Sequence, residues 1–425
     1  MTSSSSNSPE PSTRPARVLG VGDAVVLGLG AMIGAGVFAV FAPAARLAGA
    51  WLPLALLIAA VVAYCNATSS ARLAARHPES GGTYVYGSRR LGEVWGYLAG
   101  WAFVVGKTAS CAVMALTFAA YVWPGYERWL AAAAVVVLTC VNYRGVRKSV
   151  WLTRVLLAGV LVALAAVVVG SLAGGGAEAS RLAVAGEWHG LSRVLAAAGM
   201  LFFAFAGYAR IATLGGEVRD AQRVIPRAVT VALVVALAVY LAVGASALAV
   251  LGPRGLADSS APLADAVAAG RLSWLVPVVA VGAALASLGA LLSLILGVSR
   301  TVSAMACDGH LPRALGAVHA RFGVPHRAEA AVGAVVVVLV LTVDLRGAIG
   351  FSAFGVLLYY AVANASALRL GPSENRPPLA VPVVGLVGCV VLALCLPFES
   401  VLWGAAVIAV GALVWLVRRW WAVRG

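Results

Sequence analysis

Two glycine-interrupted apolar stretches are where this sequence could do chemistry. The first, GLGAMIGAGVF at 28–38, places Gly28, Gly30, Gly34 and Gly36 close together. Gly30 and Gly34 have the spacing of a small-residue packing pair between membrane helices. The same glycines weaken a helix. An unwound turn from Ile33 through Gly34, Ala35 and Gly36 to Val37 would free amide N–H groups at the start of the next half-helix, a setting suited to a carboxylate. The second stretch is FFAFAGYARIATLGGEV at 202–218. Its aromatics could be lipid-facing bulk. If this backbone breaks as well, Phe205, Ala206 and Gly207 would offer carbonyls to an ammonium, and Phe203 or Tyr208 could close over the ligand.

Lys107 lies well inside the apolar run around WAFVVGKTASC. A buried ammonium is costly and marks a pathway or relay, whereas a lysine near a helix end would snorkel to water. With no carboxylate expected at its depth, Lys107 is assigned a coupling or proton-relay role. Arg210 fits two positions equally, the second half of the broken stretch or the water beyond it. In GGEVRDAQRVIPRA, Glu217, Arg219 and Asp220 are expected to form gate salt bridges in a cytoplasmic turn, with Pro226 opening the following helix. All 16 Asp and Glu residues fall at span ends or in loops, and His310, His319 and His326 share one loop without ligand-like spacing. No catalytic set, metal site or cofactor is therefore expected. The 6 cysteines show no paired ligand spacing either, which argues against disulfides and zinc.

The elements that must position these residues are membrane helices. Apolar residues make up 62% of the 425 and charged ones 11%, against roughly 45–50% and about 25% in soluble domains. Stretches long enough to cross a hydrocarbon core of about 30 Å are read near 20–45, 51–73, 94–122, 129–143, 150–172, 194–214, 227–251, 274–304, 328–344, 347–369, 379–397 and 400–420. The expected fold is an all-α polytopic membrane protein of about 12 spans. A polar, Ser- and Pro-rich tail at 1–17 reads as disordered rather than as a signal peptide, and 18–425 as one membrane domain.

The net charge of +15 bears on orientation rather than on nucleic acid. With the first residue inside, the inner segments hold 23 Lys and Arg residues and the outer ones 7, Lys107 aside. This places both termini in the cytoplasm of a cell whose inner membrane carries the protein. Five spans from an inside start give span six an outside start, so a repeat of about 18–172 and one of about 194–370 would have inverted topology, followed by two helices at about 379–421. Inverted repeats with a broken first helix belong to secondary transporters, and both glycine-interrupted stretches fall at those positions.

GAMIGAGVF at 30–38, PESGGTYVYGSRRLGEVWGYLAGW at 78–101, FFAFAGYARIATLGGEVRDAQRVIPRA at 202–228 and SRTVSAMACDGHLPRAL at 299–315 resemble, in order and spacing, motifs of the amino acid, polyamine and organocation (APC) superfamily, bacterial amino acid permeases in particular. The resemblance covers nearly the whole chain. It implies a five-plus-five inverted repeat with two extra helices and substrate held between broken helices one and six. Ile33, Gly34, Ala35 and Gly36 would meet the substrate carboxylate, while Phe203, Ala206 and Gly207 would line the amino and gate side. Two departures limit the transfer of mechanism. Some proton-coupled members carry a lysine in span five, where LLAGVLVAL at 156–164 has Ala158 or Gly159. Acid-resistance antiporters carry a glutamate after the span-six break, where this chain has Ala209.

The expectation is a secondary active transporter of amino acids working by alternating access, with a small amino acid and the bilayer as partners and proton coupling through Lys107. An integral-membrane enzyme would need a catalytic set that the spans lack. A transporter-derived sensor would carry an added soluble domain. The resemblance admits cationic amino acid and polyamine carriers as the alternative. The charges favour neutral amino acids with small or medium apolar side chains, then an acidic amino acid, with polyamines last, because a second ammonium would enter a low-dielectric pocket without a carboxylate.

Overall fold

A computed structural model describes residues 19–34, 36–77, 81–145, 150–182, 190–212, 218 and 220–424; Ala35, Glu217, Arg219 and the 1–17 tail lie outside the described residues. The first apolar stretch forms α1 (Val21–Met32), a short α2 (Gly36–Ala39) and α3 (Phe41–Ala48). Val40 between the last two keeps helical dihedrals, so the chain runs as one helix past the gap at Ile33 and Gly34. A positive φ of 56° at Gly49 turns it into α4 (Leu52–Arg76), which carries Pro53 in its first turn, where the missing amide is not needed.

α5 (Thr83–Arg90) lies between the spans, followed by α6 (Glu93–Val122), α7 (Glu127–Tyr143) and α8 (Val150–Ala173). The second stretch forms α9 (Leu191–Phe205), a tight turn at Ala206–Tyr208 and α10 (Ala209–Ala212). Then come α11 (Ala221–Asp258), bent at Gly252 where φ is 65°, and the short α12 (Pro262–Ala268). α13 (Val276–Cys307), α14 (His326–Thr342), α15 (Leu345–Leu368), α16 (Ala380–Cys395) and α17 (Phe398–Arg424) complete the chain. Asp344 caps α15 by accepting the Gly347 amide at 3.3 Å.

Helices occupy all the places read from the sequence. Among the described residues, 9 are long and apolar enough to cross a membrane. The other three places hold α7 and α14 of 17 residues and α16 of 16, so a count of twelve spans goes beyond what length and composition establish.

Small residues let the inner helices approach closely. A Cβ on Gly106 of α6 would lie 3.2 Å from the Ser352 carbonyl of α15, and one on Gly355 would lie 2.9 Å from the Ala102 carbonyl. The Ser110 and Ser352 hydroxyls bond across this seam at 2.7 Å. A second polar seam joins α4, α15 and α16. There Asn364 donates to Asn66 Oδ1 at 2.6 Å and Asn66 donates to Cys389 Sγ at 3.1 Å, all three fully buried. Leu57, Val61, Val234, Val338, Leu394 and Leu413 stand exposed on the outer faces, a surface suited to lipid tails rather than water.

Candidate functional site

α1 stops at Met32 because Ile33, with ψ at 45°, leaves the helical path after its amide closes on the Leu29 carbonyl at 2.6 Å. The next described helix begins at Gly36. α9 ends likewise at Phe205, and the backbone tightens through Ala206, Gly207 and Tyr208 before the helix resumes. The two breaks sit directly against each other. A Cβ on Gly207 would lie 2.5 Å from the Met32 nitrogen, and one on Gly36 would lie 2.9 Å from the Ala204 α-carbon. Gly28 one turn earlier abuts the Ile211 side chain. Glycine at these positions is what allows two half-helix ends to meet.

Ile33, Gly34, Gly36 and Val37 are buried, as are Phe203, Phe205, Ala206 and Tyr208, while Gly207 is half-buried. Gly34 faces α13, with Ala290 and the Ala286 carbonyl at 3.4 and 4.0 Å from a Cβ there. Phe205 turns edge-on to Tyr240 of α11 with ring centres 5.1 Å apart. Tyr208 lies against Tyr360 of α15 at 5.0 Å. Lys107 stands half-buried in α6, one turn before the buried Cys111, and makes no ion pair among the described residues. Ala35, Glu217 and Arg219 belong to the expected site and gate but lie outside the described residues.

Tyrosine hydroxyls from other spans fasten these breaks, and they do not stand out in the sequence. Tyr240 donates towards Met32 O at 2.6 Å and Ala204 O at 3.0 Å. Tyr360 reaches Ala206 O at 3.4 Å. Tyr121 of α6 donates to Phe38 O at 3.1 Å and accepts the Leu263 amide of α12 at 3.2 Å. The only sequence signal was chemical, since a tyrosine deep in an apolar run must find a partner for its O–H. At the other end of α1, Asp23 pairs with Arg154 of α8, and Leu19 forms a short parallel bridge with Val218. The segment carrying the first break is thus tied at both ends and in the middle.

Two polar clusters lie between the spans on the arginine-rich side. Arg90 grips Glu374 through bonds of 2.6 and 2.9 Å, with Arg76 at 3.1 Å and the Gly371 amide at 2.9 Å. Hydrogen bonding to Arg90, then to Gly371, holds the Glu374 carboxyl at about 2, below its ordinary 4.5. Tyr84 of α5 donates to Asp308 at 2.5 Å and meets His310 Nδ1 at 2.8 Å, and His310 Nε2 faces Glu93 at 3.2 Å. Burial, together with the Asp308 carboxylate, raises the Tyr84 hydroxyl. Glu329, in the first turn of α14, is fully buried, and among the described residues neither carboxyl oxygen has a hydrogen-bond partner. Among the described residues no group of three or more His, Cys, Asp or Glu is placed to hold a metal ion.

The two helix breaks are buried and bring backbone groups of both segments together. Comparison with known proteins shows the family. Residues 19–420 match the family described as amino acid permease. A protein of Mycobacterium tuberculosis, named only as an uncharacterized transporter, is 62% identical over 403 residues, covering 95% of this chain and 91% of its own. Cationic amino acid transporter 4 of Mus musculus is 29% identical across 85% of this chain and 61% of its own length. The branched-chain amino acid permease BcaP of Bacillus subtilis is 23% identical across 94% and 91%.

Proposed function

The chain belongs to the amino acid permease family, and from that premise we propose that it carries amino acids across the bacterial cell membrane by alternating access. The observation that carries this reading is the abutment of the two breaks, Gly36 against Ala204 and Gly207 against Met32. In the proposed complex the amides of Ile33, Gly34, Ala35, Gly36 and Val37 take the carboxylate. The carbonyls near Phe203, Phe205, Ala206 and Gly207 take the ammonium, and Phe203 or Tyr208 closes the site. Transport then rocks the segments carrying the breaks against the remaining helices. The proposal includes twelve spans in a five-plus-five inverted repeat, both termini in the cytoplasm, a gate at Glu217 and Arg219 and proton coupling through Lys107.

Neutral amino acids with small or medium apolar side chains are the proposed substrates. The one Asp or Glu in the broken segments is Asp23, in the first turn of α1 and paired with Arg154 away from the breaks, so a second ammonium would be desolvated without a partner. A cationic substrate is the second reading, favoured by the resemblance to proteins named as cationic amino acid transporters. Competition against uptake of a labelled neutral amino acid separates the two. Inhibition by alanine, serine or leucine supports the first. Inhibition by arginine, lysine or putrescine with none by the neutral set supports the second.

A further inference from the structure

We propose that Tyr240 is a positioning residue for the substrate site, its hydroxyl tying the carbonyl ends of both broken helices at a fixed spacing; the proposal rests on the amino acid transporter reading only where it concerns affinity. One phenolic proton faces two carbonyl oxygens, Met32 O at 2.6 Å and Ala204 O at 3.0 Å. Met32 ends α1 and Ala204 lies in the last turn of α9. Both carbonyls therefore sit at helix C-termini, which carry partial negative charge. Two such ends repel when brought together, and the hydroxyl proton between them offsets that repulsion.

The hydroxyl is not free to leave. Tyr240 is buried, and its ring is held edge-on by Phe205, the residue that closes α9. α11 also runs against α1 and α10, so one span holds both halves of the site. The same convergence of negative ends suits an ammonium, whose several N–H donors could engage carbonyls that one phenol proton must share. Tyr240 thus keeps the breaks close enough for one ligand amine to reach both while the site is empty.

The test is Tyr240→Phe in the full-length protein, reconstituted in lipid vesicles. The substitution keeps the ring and its contact with Phe205 and removes only the hydroxyl. The Michaelis constant for a transported amino acid should rise roughly tenfold, the effect of losing about one hydrogen bond, while the maximal rate changes less than about twofold, the split that marks a binding rather than a chemical or folding defect. Hydrogen exchange should quicken in the peptides covering 29–34 and 202–208 together, and not in α15. A Michaelis constant within about twofold of the parent's, or quickened exchange in only one of the two segments, would overturn the proposal. If the parent carries no amino acid, the transport reading fails and the exchange arm still decides the tie. Should Tyr240→Phe not accumulate, the parent's exchange carries the test: the two segments should open with a common protection, and protections differing by more than about tenfold would overturn it.

Discussion

Gly207 lies against Met32 so closely that a methyl group on it would come within 2.5 Å of the Met32 nitrogen and nearer still to the Ala31 carbonyl. The neighbouring atoms are backbone, so neither side can yield without moving a helix end. Gly207→Ala should therefore force the breaks apart, costing about 1–3 kcal/mol or more, and abolish transport. Gly36→Ala, 2.9 Å from the Ala204 α-carbon, should behave similarly. Gly34→Ala would meet Ala290 at 3.4 Å, ordinary contact, and should retain at least half of the uptake. Uptake and thermal unfolding of the three variants check this order, and equal tolerance at all three would contradict it.

Tyr84 and Tyr97 give a matched pair on the arginine-rich side. Both are buried beside His310, but Tyr84 is bonded to Asp308 and His310, whereas the Tyr97 hydroxyl has no hydrogen-bond partner among the described residues. Tyr84→Phe should destabilise the protein by about 1–3 kcal/mol because it loses a bond to a charged group. Tyr97→Phe should be neutral or stabilising, since it removes a buried hydroxyl that has no such partner. Thermal unfolding in detergent compares them. Equal losses would mean that the hydroxyls contribute nothing distinct.

Acid should weaken the junction of α4, α5 and the loop before α16. Glu374 is held at about 2, against 4.5 for an unrestrained glutamate. Because the folded value is the lower one, its contribution is full above about pH 4.5 and is lost as pH falls from there towards 2. The melting-temperature gap between the parent and Glu374→Gln should close over that window. A gap that stays constant down to pH 3 would show that the carboxylate's charge does not matter.

Lys107 has no ion pair among the described residues, and the coupling role proposed for it has a direct test. Lys107→Met should remove pH-driven accumulation and spare exchange of internal for external substrate. Accumulation with an unchanged pH profile would refute the coupling role.

Both breaks were legible because glycine acts locally. Gly34 and Gly36 weaken the helix wherever the chain goes, and Gly207 does the same in the second stretch. Helix positions were legible from apolar length, although α7, α14 and α16 are shorter than a full crossing. What the sequence hid were pairings across long separations. Tyr240 is one tyrosine within VALVVALAVYLAVGASALAV, and nothing near it in the chain points to Met32 or Ala204. Arg154 reads only as an inside charge, yet it pairs with Asp23. Glu329 reads as an ordinary charge at a span start, and its complete burial comes from neighbouring helices rather than from its own segment.

Counterflow of labelled amino acids into vesicles holding the purified protein tests the central claim most directly, with Gly36→Val run alongside. The account predicts saturable exchange of at least one α-amino acid by the parent, inhibited weakly or not at all by analogues lacking either the amino or the carboxylate group, and none by a folded Gly36→Val. Exchange at the parent's rate by that variant, or equal competition by analogues without the amino group, would contradict a site built between the two breaks.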